Sequence, residues 1–141
     1  MRRILVVANQ TLFGEPLRDA IREELDRGGP AIVTVLVPAV DAHPGALVWD
    51  EHRSWGDAEA RMKESVAELS KLGVAVEGRV GGHDALAASL DALRGMPDYD
   101  VVIVSTLPPG LSRWLGMDLP TRLHRLTGLR VRHVVGEPAL A

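Results

Sequence analysis

Cysteine is absent from the 141 residues, and lysine and aromatic side chains are scarce. Without cysteine the chain forms no disulfide, carries no thiolate nucleophile and binds no metal through sulfur. An excess of one charge is missing too, because the net charge is −3 and residues of both signs are interspersed. Nucleic-acid binding needs a clustered basic face, so this composition does not favour a nucleic acid as partner.

Long hydrophobic runs are also missing. The N-terminal apolar run, Ile4–Ala8, is shorter than the roughly 7–15 apolar residues of a signal peptide. The longest run, Ala31–Val40, contains Thr34 and Pro38 and falls short of the ~20 residues that span a bilayer. We therefore expect a cytoplasmic protein without a membrane segment, and the length fits a single domain over residues 1–141.

Short apolar runs at regular intervals predict five strands. The fourth run, Val101–Val104, consists of β-branched residues and is typical of a strand buried on both faces of a parallel sheet. The third run alternates apolar and polar residues, which indicates an edge strand with one wet face. The five predicted strands are Ile4–Ala8, Ala31–Val37, Val74–Val80, Val101–Val104 and Val131–Val135.

Helical periodicity fills the intervals between these strands. A first helix begins near Pro16 and ends at Gly28, and the second covers Asp57–Lys71, with Gly73 following as its C-cap. Asp84 is placed to cap a third helix, and a fourth ends near Leu126. Alternation of strand and helix predicts an α/β fold, a doubly wound, Rossmann-like parallel sheet with helices on both faces.

The segment Ala39–Trp55 shows no clean period and is predicted to be a long loop. Loops of this length often act as a lid or a binding loop, so a partner protein docking here is one alternative function. Its tryptophans, Trp49 and Trp55, are expected to cover the ligand crevice, and stacking on a ring of the ligand is the alternative. Four potential metal ligands lack a recognised metal spacing and are expected to be solvated: His43, Asp50, Glu51 and His52.

Polar residues follow the first and fourth strands, and in open α/β sheets ligands bind there if the strand order reverses between them. The amides of Gly110–Ser112, at the predicted start of the fourth helix, suit a phosphate or carboxylate, and Arg113 adds charge. The structural alternative is that Ser112 only caps its helix and Pro108-Pro109 only shape the turn. The predicted ligand-binding residues are Ala8, Asn9, Gln10, Thr11, Val37, Pro38, Gly81, Ser105, Thr106, Gly110, Leu111, Ser112 and Arg113.

The motifs of several enzyme classes are missing. No lysine follows a strand as a P-loop requires, and Gly14 alone does not make a dinucleotide fingerprint. We assign no catalytic residue. The enzymatic alternative is a small hydrolase or transferase with a hydroxyl nucleophile and His83 as base, although a turn with a helix cap explains His83-Asp84 equally well. Its candidate nucleophiles are Ser105, Thr106 and Ser112.

The chain resembles the universal stress protein family over essentially its full length. The resemblance is carried by the glycine turn Val80–Gly82, by DVVIVST at Asp100–Thr106 and by GLRVRHVV from Gly128. The sequence STLPPGLSRWL from Ser105, followed by DLP, is similar to a subgroup of bacterial universal-stress-like proteins, many without an assigned function.

The resemblance implies a strand order of 3-2-1-4-5, a non-enzymatic role in the stress response, and a homodimer formed through the last strand, Val131–Val135. It also implies an adenine ligand such as ATP, AMP or cyclic AMP, in a fold like that of the adenine nucleotide alpha hydrolases. The chain departs from the family's ATP motif, with Asn9 in place of an aspartate and Met117-Asp118 in place of a glycine and a hydroxyl. We therefore expect either a smaller nucleotide on the Gly110–Ser112 amides or no ligand.

The last predicted strand divides its side chains between two faces. Val131, His133 and Val135 share one face, while two arginines and Val134 share the other. Charged residues on an edge strand often prevent pairing, so the dimer requires the arginines to face solvent. His133, like His124, has no acid nearby in sequence and is interpreted as a surface or edge residue.

Overall fold

The computed structural model describes residues 2–8, 14–39, 51–82, 84–95, 99–106 and 119–136, and only the backbone of residues 51–54. Within these ranges, strands and helices alternate along the chain. The elements are β1 (Arg2–Ala8), α1 (Glu15–Asp26), β2 (Ala31–Pro38), α2 (Glu51–Ser70), β3 (Ala75–Gly81), α3 (Ala85–Gly95), β4 (Val101–Thr106), α4 (Leu119–Thr127) and β5 (Arg130–Val135).

The strands form one parallel sheet in the order β3-β2-β1-β4-β5, which confirms the predicted fold class and strand order. β1 lies at the centre, where Val6 pairs with Val35 of β2 on one side and with Ile103 of β4 on the other. A central parallel strand has both faces covered, which explains why the residues from Ile4 to Ala8 are all buried.

Two apolar layers enclose the sheet, because successive side chains of each strand point to opposite faces. Ile4 and Val6 pack with α1 and α2 on one face, together with Leu17 and Leu69. On the other face, Leu5 and its neighbours pack with α3 and α4. Helices therefore cover both faces of the sheet, as a doubly wound fold requires.

The second helix starts earlier than its sequence pattern predicts. The structure begins α2 at Glu51, six residues before the predicted Asp57, so the last part of the predicted 39–55 loop is helical. The sequence from Glu51 to Gly56 has no apolar residues at helical spacing, and its one aromatic side chain, Trp55, is 44 % exposed. Apolar periodicity thus marks only the part of a helix that packs.

The predicted cap of α3 is confirmed. The backbone N–H of Ala87 donates a hydrogen bond of 3.1 Å to Oδ1 of Asp84. This contact satisfies one of the amides that the first turn of a helix leaves without an intrahelical partner. Asp84 therefore has the structural role that its position indicated.

Candidate functional site

The strand order reverses between β1 and β4. The chain passes from β1 to β2 on one side of the centre and returns to β4 on the other, and Ala8 pairs directly with Ser105. We call the edge of the sheet formed by the last residues of the strands the carboxyl edge. The two strand ends that were predicted to flank a ligand are therefore neighbours, at the point where such sheets bind ligands.

Six of the thirteen predicted ligand-binding residues fall within the described residues. Ala8, Val37, Pro38, Gly81, Ser105 and Thr106 lie at or beside the carboxyl edge. Asn9, Gln10, Thr11, His83, Gly110, Leu111, Ser112 and Arg113 lie outside the described residues, and their roles remain predictions. The same holds for 40–50 and for the side chains of Glu51 and His52.

The two hydroxyl residues at the end of β4 are buried and point to opposite faces. Ser105 is fully buried and follows the alternation of Val101 and Ile103 toward α1 and α2. Thr106 follows Val104 toward α3 and α4 and is 2 % exposed. The two hydroxyls therefore do not act on one ligand atom together.

Thr106 has a partner that sequence reasoning missed. Its Oγ1 lies 2.5 Å from Nε2 of His133 on β5, and the imidazole tautomer sets which atom donates. Thr106 pairs with Val135, so His133 lies two residues earlier on the adjacent strand and on the same face. The contact could have been predicted only from the register of β4 and β5. The two residues are 27 positions apart, so nothing in the local sequence indicates it.

The predicted site residues on β2 are buried, and Gly81, at the end of β3, is half-buried. Val37 and Pro38 are buried, and Ala39 donates its N–H to the carbonyl of Gly81 at 2.9 Å. A Cβ at Gly81 would lie 2.6 Å from Cβ of Ala88 in α3. The close approach of α3 to β3 therefore accounts for this glycine without a ligand.

A charged cluster at the opposite edge of the sheet was also missed. Glu24 of α1 is fully buried, and its carboxylate accepts hydrogen bonds from Arg130 and Arg132 of β5 and from Arg2 of β1. The hydrogen bond from Arg130 contributes most to lowering the pKa of Glu24 to about 2, and burial opposes this shift. The cluster joins α1 to both strands and is structural.

The predicted dimer requires the two arginines of β5, Arg130 and Arg132, to face solvent. They do not simply face solvent, since Arg132 also donates a hydrogen bond of 2.6 Å to the exposed carboxylate of Glu23. Both arginines instead pack along α1 of their own chain. The face of β5 that carries them is therefore occupied within the subunit, and pairing through the strand's open edge remains a prediction.

Neither a metal centre nor a membrane helix is found in the described ranges. In these ranges no three histidine, aspartate or glutamate side chains are grouped so that they could hold a metal ion. Nor is any helix there long and apolar enough to cross a bilayer.

Comparisons with known proteins identify no family. The sequence matches no protein-family model, and no curated protein matches it significantly. The fold and the position of the reversal between β1 and β4 therefore carry the functional argument.

Proposed function

We propose that this protein is a non-enzymatic regulatory domain, similar to the universal stress proteins, that binds an adenine mononucleotide at the carboxyl edge between β1 and β4. The reversal of strand order at Ala8 and Ser105 carries the proposal. At such a reversal the crossover helices diverge to opposite faces and leave a crevice outside the strand ends. We place the protein in the cytoplasm, where disulfides are rare, because a chain without cysteine does not depend on them.

The sequence beyond the two strand ends supports a phosphorylated ligand of small size. Asn9–Thr11 follow β1 with hydrogen-bonding side chains, and Gly110–Ser112 with Arg113 follow β4. Amides near a glycine and an arginine suit one phosphate group. Met117-Asp118, in place of the family's glycine and hydroxyl, favours a monophosphate over ATP, since an aspartate repels a polyphosphate.

Equilibrium dialysis against AMP, cyclic AMP and ATP tests this function. We expect AMP or cyclic AMP to bind more tightly than ATP, and Arg113→Gln to weaken that binding about ten-fold through loss of a charge-assisted hydrogen bond. Arg94→Gln is the matched control, because Arg94 is an exposed arginine at the end of α3. If none of the three nucleotides binds, the proposed nucleotide function is wrong, and the protein would be a scaffold without a ligand.

A second candidate is enzymatic, and the contact between Thr106 and His133 favours it. A hydroxyl within hydrogen-bond distance of an imidazole is the arrangement of an activated nucleophile and its base. Turnover of nucleotide and ester substrates by the wild type, Thr106→Val and Ser112→Ala tests this alternative. Equal rates in all three proteins would exclude both hydroxyls as nucleophiles.

A further inference from the structure

The sheet ends at β3, and no other strand of the described ranges pairs with its outer edge. Gly78, in the middle of β3, is exposed, and because glycine has no side chain this exposure is that of its backbone. Edge strands present unpaired N–H and C=O groups that can pair with another chain, unless a proline or a bulge prevents it. β3 contains no proline and pairs with β2 in unbroken register from Ala75 to Gly81. Its outer edge is therefore open to pairing.

The hydrogen bonds between β3 and β2 determine which backbone groups lie at this edge. Gly81 accepts a hydrogen bond of 2.9 Å from the N–H of Ala39, so the carbonyl of Gly81 faces the β2 side. The N–H and C=O of one residue point to the same side of a strand, and this side alternates from residue to residue. Val76, Gly78 and Val80 therefore each direct one donor and one acceptor toward the open edge.

The sequence of β3, AVEGRVG, is nearly symmetrical about Gly78. Val76 and Val80 lie two residues to either side of it, and the neighbours Glu77 and Arg79 carry opposite charges. Consider two antiparallel copies of β3 related by a two-fold axis at Gly78. Val76 of each copy would then lie opposite Val80 of the second copy, and Glu77 of each opposite Arg79 of the second. The strand is thus complementary to itself in charge and in size.

The backbone pattern agrees with the same axis. Gly78 would pair with Gly78 of the second copy, and Val76 with Val80, so that every residue facing the open edge meets another that does the same. Each of these pairs exchanges two N–H···O bonds, which satisfies all the backbone groups that the three residues direct outward. Glu77 and Arg79 then form the pairs without backbone hydrogen bonds, in which side chains approach most closely.

The two charges also disfavour the neighbouring registers. A pairing shifted by two residues would have its axis at Glu77 or at Arg79, and would place two glutamates or two arginines opposite each other. Like charges directly opposite on paired strands are destabilising. A shift by one residue would place side chains of one sheet face opposite those of the other face. Glu77 and Arg79 therefore favour the single register that is centred on Gly78.

The neighbouring helix α2 leaves room for a second copy. A Cβ at Gly78 would lie 2.2 Å from Met62 and 2.8 Å from Val66 of α2, and this helix also contacts β2. It therefore lies inward of the outer edge of β3. With paired strands ~4.8 Å apart, the α2 helices of two copies would lie about 10 Å apart, an ordinary distance for packed helices. On the opposite face Glu77 and Arg79 are exposed, so they are accessible to the second copy.

We propose that the outer edge of β3 is a self-association surface, on which a second copy of this chain adds its own β3 in antiparallel orientation. The two five-stranded sheets thereby join into one continuous sheet. This contact is separate from the predicted pairing through β5, which lies at the opposite end of the sheet. One seven-residue strand on each side makes a small interface, so we expect a dissociation constant on the order of 0.1–1 mM and separate copies at micromolar concentration.

Sedimentation velocity at about 10 μM to about 1 mM tests the contact in Val135→Lys, a background that opposes pairing through β5. Adding Arg79→Glu should weaken self-association at least about ten-fold, because carboxylates would then lie opposite Glu77 in both copies. Arg122→Glu is the matched control. It changes the net charge equally, at an exposed arginine of α4, which packs on β5 at the other end of the sheet.

Mixing two charge variants provides the second measurement. Glu77→Arg in the same background should also weaken self-association, because guanidinium groups would then lie opposite Arg79. An equimolar mixture of Glu77→Arg with Arg79→Glu should associate at least as strongly as the background protein, since a basic strand then meets an acidic one. Recovery in the mixture also shows that both variants are folded.

The outcomes decide the proposal. Self-association of Val135→Lys that Arg79→Glu weakens, that Arg122→Glu preserves and that returns in the mixture supports pairing through β3. Absence of self-association up to about 1 mM would overturn it. An equal effect of Arg79→Glu and Arg122→Glu, or a mixture that associates no more strongly than its components, would overturn it as well.

Discussion

At the scale of single residues, Glu24 is the carboxylate around which several arginines converge. Its carboxylate is fully buried, yet three arginines from two strands donate hydrogen bonds to it. Glu24 lies on the buried side of α1 together with Leu17, Ala20 and Ile21, which is an unusual position for an acid. Its burial is explained by Arg130 and Arg132, which follow Glu24 by more than 100 residues in sequence and lie beside it on β5.

Replacing Glu24 with glutamine should destabilise the protein by about 2–4 kcal/mol, because the arginines would lose the anion that compensates their charge. Glu23→Gln is the matched control. Its carboxylate is 64 % exposed and pairs with Arg132, so we expect a loss of about 1 kcal/mol or less. Urea unfolding at neutral pH measures both variants. Equal losses of unfolding free energy in the two variants would show that burial of Glu24 does not strengthen its ion pairs.

The stability of the wild type should fall in acid because of the same residue. The pKa of Glu24 lies at about 2 in the folded protein, against an ordinary value of 4.5. Since the folded value is the lower one, the stabilisation is complete above pH 4.5 and is lost as the pH falls toward 2. It amounts to about 3 kcal/mol. The stability difference between the wild type and Glu24→Gln should therefore shrink from pH 6 to pH 3, and a constant difference would contradict this assignment.

At the scale of elements, periodicity predicted each strand and helix, but contacts between elements decided the role of individual residues. Gly81 was predicted to contact a ligand because it follows the third strand. In the structure the glycine allows α3 to pack closely against β3, since a Cβ at position 81 would lie 2.6 Å from Cβ of Ala88. The start of α2 at Glu51 was missed for a different reason, because the sequence from Glu51 to Gly56 has no apolar residues at helical spacing.

Gly81→Ala should destabilise the domain by about 1–3 kcal/mol, because the added methyl group collides with Ala88 on α3. Introducing Ala88→Gly into that variant should recover part of the loss, reduced by the roughly 1 kcal/mol that glycine costs within a helix. Gly82→Ala is the control, since nothing lies within 4 Å of a Cβ at that position. Thermal unfolding of the three variants tests the contact. Destabilisation by Gly82→Ala of the same size would refute it.

At the scale of the whole molecule, the open question is assembly. β5 is the last strand of the sheet, and its Val135 is 45 % exposed. Exposed apolar residues on an edge strand are suited to pairing with a second copy. The resemblance to the universal stress proteins predicts such a pairing through Val131–Val135. The arginines on the inward face of β5 remain with α1 in that arrangement.

Val135→Lys should convert a homodimer into a monomer, because a charge on the edge strand opposes pairing of two copies. Leu126→Lys provides the control, since Leu126 is 60 % exposed on α4 and lies outside the predicted interface. Sedimentation equilibrium at micromolar concentration would measure the mass of each protein. A monomeric wild type, or a dimer that survives Val135→Lys, would refute pairing through β5.

The sequence by itself determined the α/β class, the succession of elements and the cap at Asp84, because apolar periodicity and turn residues act over a few neighbours. Tertiary structure decided which distant residues meet. The contact between Thr106 and His133 and the arginines around Glu24 both depend on strand register and on how α1 lies across the sheet. Such pairings leave no local pattern, because the free energy that selects them comes from packing of the whole fold.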